Sequence, residues 1–426
     1  MNNPRQIAVE IVKRFIENNA WVTPLIRSYY KTLKDTRDSE LMTELVYGTV
    51  KNYIKLCKVA NTYLVQSNLN SFNAVQQALI LVSIYELLFL SKIPEYATIH
   101  SYVEITKKIT NTRFSKLLNA LLRNIQRNAK KIEFEPHEEF SISKELYNYL
   151  SRKLHPEFLK KVLNHSLQTH KVYIRCDSLI NNEAISSISA SNCGLENVLF
   201  PETFLVKNVT ALAQCQECEN PIFQDLSTQI AQHLIPYVPR GTYLDLTSAP
   251  CLKSSYLSKR YPDVFIISND INLKKLRRAK ENFTLQNHFF VCSDAAVKTT
   301  FKNTFDVVIL DPPCSGLGTL RRKPEIKTRM GVKKIETLKE LQRKLLNTAA
   351  HLVSRNGYLC YMTCTVNPEE NEELIKDFLK HRKDFIIETI KMKGIEFWEK
   401  KYGIYIDGSK YDCDFFFFVT LRRVGQ

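Results

Sequence analysis

Glycine is scarce in this chain: 11 of its 426 residues are glycine, well under the usual share of about 7%. Hydrophobic residues make up 44% of the sequence and charged residues 24%, both near the averages of globular proteins. This composition excludes a collagen-like or low-complexity chain and a chain that is disordered throughout. At about 150 residues per domain, the length predicts two or three domains, each large enough for its own core.

Long apolar runs are missing as well. The longest, Ala78 to Leu90, has 13 residues and includes Ser83 and Glu86, whereas a bilayer span needs about 20 apolar residues. Residues 1–15 also lack the apolar core and the cleavage site of a secretory signal. These absences predict a cytoplasmic protein with no membrane partner.

Cysteine and histidine form no convincing metal-binding pattern. The 11 cysteines are too few for a dense disulfide scaffold in a chain of this length, so we expect reduced thiols. Cys215-Gln-Glu-Cys218 has the spacing of a zinc knuckle, but no second pair of ligands lies at a suitable distance. The nine histidines show neither His-x-x-His nor His-Glu-x-x-His. We therefore predict no metal.

Acidic residues are outnumbered by basic ones. The chain has 60 Lys plus Arg against 44 Asp plus Glu, a net charge of +16, and its pI is near 9.2. This balance favours a polyanionic partner, with nucleic acid as the leading candidate, because cationic side chains bind phosphates. The alternative is a basic surface that only keeps the protein soluble.

The N-terminal part of the chain has the pattern of a helical domain. From Ile7 to about Asn128, apolar residues recur at helical spacing and strand signals are absent. This predicts an all-α domain over residues 1–130, with Gly48 interrupting one of its helices. A switch from lysines to glutamates around a proline then predicts a linker at residues 131–143.

The rest of the chain mixes strands and helices. Residues 144–220 predict a small α+β module, with short strands near residues 172–175 and 198–200 around a helix at 183–189. Residues 221–426 alternate apolar runs with helical segments, which predicts a Rossmann-like α/β domain with a parallel sheet. The apolar runs begin at Tyr243, Val264, Phe289, Val307 and Gly357, and a last one, from Phe415, is expected at the edge of the sheet.

An acidic residue stands at the end of four of these runs: Asp245, Asp270, Asp294 and Asp311. Ligands of open α/β sheets bind beyond the carboxyl ends of the strands. Asp270 lies 25 positions after Asp245, close to the offset of about 20 at which an acid binds a ribose hydroxyl. A single aspartate at such a position is more typical of a helix cap, but four aspartates at the ends of four strands favour a nucleoside-bearing cofactor.

Two cysteines differ from the others by their position. Asp311-Pro-Pro-Cys314 places a thiol after two stiffening prolines, and Met362-Thr-Cys364 places another at the mouth of the neighbouring strand. We expect both thiols to face one pocket. Cys57, Cys292 and Cys360 are instead expected to be small buried hydrophobes.

These motifs carry a resemblance to a known family. Asp311-Pro-Pro-Cys-Ser-Gly-Leu-Gly, Arg321-Arg-Lys-Pro-Glu-Ile-Lys and Thr363-Cys-Thr with Pro368-Glu-Glu-Asn-Glu resemble the RNA cytosine-C5 methyltransferases of the Sun/Nol1/Nop2 (RsmB/NOP) family. Glu44-Leu-Val-Tyr-Gly-Thr and Leu118-Asn-Ala-Leu-Leu-Arg-Asn resemble the NusB-like domain that precedes the catalytic domain in its bacterial small-subunit rRNA branch.

The resemblance implies a role for each residue of the site. Cys364 would be the nucleophile that adds to C6 of the cytosine, and Cys314 would promote release of the product. Asp311 would hold the cytosine edge and lie near the methionine end of S-adenosylmethionine. Because a free thiol has a pKa of about 8.5, Cys364 needs a cationic environment, which Lys253 and the Arg321–Lys323 cluster would supply.

The resemblance also implies a cofactor loop, together with Asp245, at residues Thr247, Ser248, Ala249, Pro250, Cys251, Leu252 and Lys253. Asp270 would bind the ribose hydroxyls, and Asp294 would lie on the adenine side. The family has two glycines where this chain has Cys251 and Leu252. Side chains there would crowd the methionine end, because glycine lets backbone approach a ligand closely.

These inferences predict that the protein methylates a cytosine in 16S ribosomal RNA with S-adenosylmethionine as the methyl donor. They also predict that it is a monomer and that it does not bind DNA. One alternative is a non-catalytic RNA-binding or ribosome-assembly protein with a degraded cofactor loop. Another is a cytosine-C5 methyltransferase of transfer RNA or of another ribosomal RNA. Basic and aromatic residues in the stretch 144–175 fit RNA binding, but a solvated helix face explains them equally well.

Overall fold

The computed structural model describes residues 3–425 except residues 31, 34, 66, 129–131, 181–193, 208–217, 219, 284–285 and 298–300. The chain divides into two compact units. The first comprises Met1–Tyr149 and Lys323–Arg329, and the second comprises Leu150–Arg322 and Met330–Gln426. The helix expected at residues 183–189 and Cys215 lie outside the described residues.

The first unit is built from helices. They are α1 (Pro4–Asn18), α2 (Val22–Tyr30), α3 (Thr36–Lys51), α4 (Tyr53–Tyr63), α5 (Ala74–Phe89), α6 (Glu95–Ile109), α7 (Thr112–Asn128), α8 (Pro136–Glu139) and α9 (Lys144–Lys153), which runs on into the second unit. One more short helix of this unit, Ile326–Arg329, lies in the segment Lys323–Arg329. The predicted all-α N-terminal domain is confirmed. The interruption expected at Gly48 is wrong, because α3 continues through this residue.

The longest apolar stretch of the sequence forms α5, which is buried on nearly all sides. Glu86 is the one charged residue of α5, and its carboxylate is fully hydrogen-bonded. It accepts hydrogen bonds from the Arg5 guanidinium at 2.7–3.0 Å, from the Tyr102 hydroxyl at 2.9 Å and from the Thr98 hydroxyl at 3.1 Å. Burial of this charge is tolerated because its oxygens are paired.

Two segments extend the first unit beyond the predicted boundary at residue 130. A linker was expected at residues 131–143, yet Phe134 packs against the helical core and Ser141 Oγ accepts the N–H of Ile54 at 2.7 Å. In the segment Lys323–Arg329, the buried Lys327 Nζ donates to the carbonyls of Lys51 and Phe140 at 3.1 and 2.8 Å. Burial lowers the pKa of Lys327 to about 7.

In the second unit, α10 (Pro156–Leu167) is followed by a small antiparallel sheet and then by α11 (Leu226–His233). Its strands are β1 (Tyr173–Arg175), β2 (Leu195–Val198), β3 (Phe200–Val206) and β4 (Ile222–Phe223), in the order β2-β3-β1-β4. Cys176 and Cys218 form a disulfide, with their Cα atoms 5.3 Å apart. The expectation of reduced thiols is wrong for this pair, because β1 and β4 are neighbours and bring the two cysteines within bridging distance.

The large sheet of the second unit has nine strands among the described residues. They are β5 (Thr242–Asp245), β6 (Phe265–Asp270), β7 (His288–Cys292), β8 (Phe305–Leu310), β9 (Val353–Thr363), β10 (Phe385–Ile387), β11 (Trp398–Lys400), β12 (Gly403–Ile406) and β13 (Phe416–Arg423). Their order is β11-β12-β13-β9-β8-β5-β6-β7, and β10 pairs with β13.

The order of the strands confirms the Rossmann-like domain but corrects one detail. Strands β5 to β9 are parallel, as their uninterrupted apolar runs predict. Strand β13, expected at the edge, lies inside the sheet between β9 and β12 and is antiparallel to both. The short strands β10 to β12 pair beyond it, so the sheet is mixed.

Helices cover both faces of this sheet. They are α12 (Leu252–Arg260), α13 (Leu273–Asn282), α14 (Val332–Leu352), α15 (Glu372–His381) and the short α16 (Gly408–Tyr411). Residues of α14 and α15 share one hydrophobic core with the sheet, and residues of α11 and α12 share the other. None of the helices in the described residues has the length and apolar character of a membrane span.

Candidate active site

The acidic residues and the two cysteines gather at the carboxyl edge of the parallel strands. Asp245 and Asp270 end β5 and β6, Asp311 follows β8, and Cys364 follows β9. Asp294 comes two residues after β7. Parallel strands place their carboxyl ends at one edge of the sheet, so residues far apart in sequence meet there.

Cys314 and Cys364 lie side by side. Their Sγ atoms are 3.4 Å apart, and both side chains are partly buried. The hydrogen bond with Cys364, followed by burial and the nearby carboxylates, raises the pKa of Cys314 well above its ordinary value. Of the other expected small buried cysteines, Cys360 is buried, but Cys57 is only partly buried and Cys292 is exposed.

Glu370 joins the two cysteine loops. Its carboxylate accepts the backbone N–H of Ser315 at 2.8 Å and the hydroxyl of Ser315 at 2.5 Å. It also accepts the amide N–H groups of Gln342 at 2.9 Å and Asn367 at 3.0 Å. The hydroxyls of Ser315 and Thr365 are 2.7 Å apart, so the residues that follow the two cysteines are bound to each other.

No role is predicted from the sequence for Glu370, although it lies in the Pro368-Glu-Glu-Asn-Glu motif. The neighbouring Asn371 was missed in the same way: it accepts the hydroxyl of Thr363 at 2.6 Å and donates to the carbonyl of Thr365 at 2.9 Å. Both side chains are buried. A cluster of polar residues directly after a cysteine motif was the only signal available in the sequence.

Two cations act on Cys364. Lys253 Nζ lies 2.5 Å from Asp311 Oδ2; burial lowers the pKa of Lys253, but the charges of Asp311, Asp245 and Cys364 outweigh burial and raise it. The pKa of Arg322 is raised by its ion partner Asp414, at 2.6 Å, and also by Cys364. Positive charge near a sulfur stabilises its thiolate.

The expected Arg321–Lys323 cluster is therefore only partly brought together around the thiols. Arg322 interacts with Cys364, whereas Arg321 donates to the side chain and the backbone carbonyl of Asp412. Lys323 belongs to the first unit.

The loop Thr247–Lys253, which we call the β5–α12 loop, lies between these acids. The Thr247 hydroxyl donates to the carbonyl of Asp311 at 2.9 Å, and the N–H of Ala249 donates to Asp270 Oδ2 at 3.0 Å. The Ala249–Pro250 peptide is cis. Within this loop, Cys251 is the N-cap residue of α12 with a left-handed φ of 65°, and Leu252 and Lys253 are the first residues of the helix.

The side chain of Cys251 does not project into open space. It is fully buried beneath the loop in a small apolar cluster with Leu276 and Ala279, and burial raises the pKa of its thiol to about 11. Leu252, the first residue of α12, is partly exposed. Of the two side chains that were expected to crowd the methionine end of the cofactor, only that of Leu252 is partly exposed at the loop.

Asp245 lies under the same loop with one oxygen unpaired. Its Oδ2 accepts the hydroxyl of Ser248 at 2.7 Å, while its buried Oδ1 has no hydrogen-bond partner among the described residues. Burial raises the pKa of Asp245 to about 6. A buried oxygen without a donor costs free energy unless a ligand or water supplies one.

Asp270 and Asp294 hold the backbone around them. Asp270 Oδ1 accepts the N–H of Asn272 at 2.8 Å, and Asp294 Oδ1 accepts the N–H of Ala296 at 2.9 Å. These are the cap-like bonds of the alternative interpretation, yet both acids stay partly exposed, and a carboxylate can accept about four hydrogen bonds. The apolar Ile271, directly after Asp270, is 67% exposed.

The chemistry of this edge is that of thiols, carboxylates and cations. Within the part of the chain that the structure describes, no group of three or more His, Cys, Asp or Glu side chains is arranged to hold a metal ion. The arrangement offers a nucleophilic sulfur, a second thiol in contact with it, and an acid-lined loop beside them.

Two family models match the chain. The model described as 16S rRNA methyltransferase RsmB/F matches residues 232–422, and the NusB family model matches residues 2–127. The probable ribosomal RNA small subunit methyltransferase B of Bacillus subtilis (strain 168) is 27% identical, with 99% of each chain covered. The ribosomal RNA small subunit methyltransferase B of Shewanella oneidensis is 25% identical, also with 99% of each chain covered.

A solved structure shares the fold of the whole chain. The crystal structure of PH0851 has a TM-score of 0.79 at 20% sequence identity and covers 99% of each chain. This likeness extends over both units of the chain, the helical one and the one with the large sheet.

Proposed function

We propose that this chain methylates C5 of a cytosine in 16S ribosomal RNA through a covalent cysteine adduct. The match of residues 232–422 to the RsmB/F family model and of residues 2–127 to the NusB family model supports this proposal. The first match agrees with the resemblance carried by the motifs around Cys314 and Cys364. The single observation that supports the adduct is the 3.4 Å separation of their Sγ atoms at the carboxyl edge of the sheet.

The proposed reaction uses Cys364 as the nucleophile. C5 of cytosine is too weak a nucleophile by itself, so the Cys364 thiolate forms a bond to C6 and pushes an electron pair to C5. C5 then takes the methyl group that S-adenosylmethionine would supply; the S–CH3 bond breaks, its electron pair stays on sulfur, and S-adenosylhomocysteine leaves. Loss of the C5 proton to a base restores the C5–C6 double bond, and the Cys364 thiolate leaves.

The charges around the two sulfurs support different roles for them. Lys253 and Arg322 stabilise the Cys364 thiolate, while the raised pKa of Cys314 keeps that residue a thiol. A protonated Cys314 donates a hydrogen bond to the sulfur of Cys364 and promotes its departure in the last step. In this proposal Asp311, which forms an ion pair with Lys253, binds the cytosine edge.

The residues around the β5–α12 loop fit the proposed cofactor. The unpaired Oδ1 of Asp245 offers a buried acceptor to an ammonium group, and the partly exposed Asp270 and Asp294 offer acceptors to ribose and adenine groups. Ile271 presents apolar surface to a flat ring at the same edge. The loop also keeps a left-handed residue at Cys251 although this residue is not a glycine.

Helix α13 supplies a basic surface for the RNA. Its exposed cations form no ion pair with an acid among the described residues; they are Lys274, Lys275, Arg277, Arg278 and Lys280. The helix starts three residues after Asp270, so it flanks the proposed cofactor site. Unpaired cations beside the reacting edge suit the phosphates of a bound RNA.

The proposal is tested in cells that lack the gene. Bisulfite sequencing of their RNA should show one unmethylated 16S cytosine, restored by the wild-type protein but not by the Cys364→Ala variant. Full restoration by Cys364→Ala would overturn the mechanism. A change confined to transfer RNA or to 23S rRNA would establish the alternative substrate.

The glycine-free β5–α12 loop favours a second candidate, a non-catalytic RNA-binding or ribosome-assembly protein. Titration calorimetry with S-adenosylmethionine separates the two functions. Saturable binding supports the enzyme, whereas no heat of binding at millimolar cofactor supports the assembly protein.

A further inference from the structure

Arg175, the last residue of β1, is a charged side chain without any exposed surface. Its Nε donates to Asp177 Oδ1 at 2.5 Å. Its Nη1 donates to the side-chain oxygens of Gln224 at 2.7 Å and Gln232 at 3.1 Å. Burying a guanidinium is costly unless several partners compensate for the lost water, so this network is expected to have a purpose beyond filling the core.

The same guanidinium reaches the first turn of α12. Nη1 donates to the carbonyl of Leu252 at 3.0 Å, and Nη2 donates to Ser255 Oγ at 3.1 Å. Asp177 continues the contact along the helix, because its Oδ2 lies 3.1 Å from Lys259 Nζ. Arg175 and Asp177 therefore hold α12 near both of its ends.

The first turn of α12 is the continuation of the β5–α12 loop. Leu252 is followed by Lys253, whose ammonium pairs with Asp311. It is preceded by Cys251, whose left-handed conformation is unfavourable for a residue with a side chain. A loop that is strained at this point needs contacts from outside itself to keep its shape.

We propose that Arg175 and Asp177 are positioning residues that hold the β5–α12 loop in the conformation that binds the cofactor, so that the small sheet controls cofactor affinity. This inference rests on the proposed function, because it takes the loop to be the site of S-adenosylmethionine. Neither residue touches the cofactor in this scheme. Arg175 acts through the backbone of Leu252 and the hydroxyl of Ser255, and Asp177 acts through Arg175 and Lys259.

The test compares two serines of α12 in the full-length protein. Ser255→Ala removes one acceptor of Arg175, while Ser258→Ala is the matched control, since the buried Ser258 hydroxyl donates to the carbonyl of Gln286 and not to Arg175. Arg175→Lys is the stronger variant, because one ammonium cannot reproduce the fork of a guanidinium. Thermal unfolding shows whether each variant is folded.

Two readouts are measured for each protein. In the absence of cofactor, hydrogen exchange of the amides of residues 249–256 should accelerate about tenfold in Arg175→Lys and by a smaller factor in Ser255→Ala. In methyl transfer, KM for S-adenosylmethionine should rise by similar factors, while kcat at saturating cofactor stays within about twofold of wild type. Ser258→Ala should change neither readout.

The outcomes separate this inference from the proposed function. Unchanged exchange and unchanged KM in both Arg175→Lys and Ser255→Ala overturn the inference, as does an equal effect of Ser258→Ala. If the wild-type protein binds no S-adenosylmethionine, the proposed function fails, and so does control of cofactor affinity by the sheet. In that case the hydrogen-exchange rates show only whether Arg175 and Asp177 hold the β5–α12 loop.

Discussion

The carboxylate of Glu370 accepts hydrogen bonds from both the backbone N–H and the hydroxyl of Ser315, the residue that follows Cys314. Glu370 stands six positions after Cys364, so this one side chain bridges the two cysteine loops. A residue that takes no part in the proposed chemistry thus links the two loops that carry the sulfurs.

Replacing Glu370 by Gln should lower kcat about 10–100-fold, because an amide cannot accept at both ends and small displacements of reacting groups are costly. The measurement is methyl transfer to 16S rRNA under saturating conditions. Glu373→Gln, on the exposed side of α15, is the control and should keep full activity. Wild-type kcat in Glu370→Gln would contradict the bridging role.

Cys364→Ala should abolish methyl transfer, whereas Cys314→Ala should accumulate a covalent complex between protein and RNA. The reason is that Cys364 forms the adduct and Cys314 promotes its release. Denaturing gels with labelled RNA detect the complex, and Cys292→Ala, an exposed cysteine, serves as control. A covalent complex formed by Cys364→Ala would reverse the assignment of the two thiols.

Asp245→Asn should stabilise the protein at pH 7 and lose this advantage as the pH falls. Burial raises the pKa of Asp245 to about 6 in the folded chain, above its unfolded value near 3.9. Protonated Asp245 therefore favours the folded state below about pH 4, and this contribution disappears as the pH rises through 6. The difference amounts to about 2–3 kcal/mol at pH 7.

Thermal unfolding of both proteins between pH 4 and pH 8 measures this effect. The melting temperatures should converge toward pH 4, and Asp245→Asn should melt higher at pH 7. A gap that is independent of pH would show that Asp245 does not titrate in this range.

Charge reversal on α13 should weaken RNA binding. Lys274→Glu combined with Arg277→Glu should reduce affinity for 16S rRNA fragments and lower the slope of log K against log salt by about 2. Lys391→Glu with Lys393→Glu makes the same charge change at another exposed site and serves as control. Equal losses in the two variants would indicate that only net charge matters.

Gly48→Ala should destabilise the helical unit, although alanine favours helices more than glycine does. A Cβ at Gly48 would lie 1.8 Å from Cζ of Tyr85, and the hydroxyl of Tyr85 is tied to Glu44 at 2.5 Å. Overpacking of this kind costs about 1–3 kcal/mol. Denaturant unfolding measures the loss, and Gly48→Ala should cost less stability in a Tyr85→Ala background than in the wild-type background.

Features that depend on neighbouring residues could be predicted from the sequence, whereas features that depend on distant contacts could not. Helical spacing predicted the first unit, apolar runs predicted strands β5 to β9, and the strand ends predicted where the acids and thiols collect. Each of these features follows from residues that are close together in the chain. The motifs around Cys314 and Cys364 also carried the resemblance to the family whose model matches residues 232–422.

Other features depended on which distant residues meet. The sequence pattern could not show that β13 lies inside the sheet, that Cys176 bonds to Cys218, or that Lys323–Arg329 belongs to the helical unit. The roles of Glu370 and Arg175 were hidden for the same reason.

By itself, then, the sequence determined the elements, their types and the edge of the sheet where the chemistry lies, because backbone propensity and hydrophobic period are local properties. Only the tertiary structure decided how close the two sulfurs come, where the side chain of Cys251 points and which charges are neutralised. These features depend on packing and on contacts with residues up to hundreds of positions away in the sequence, and burial increases the energetic importance of each such contact.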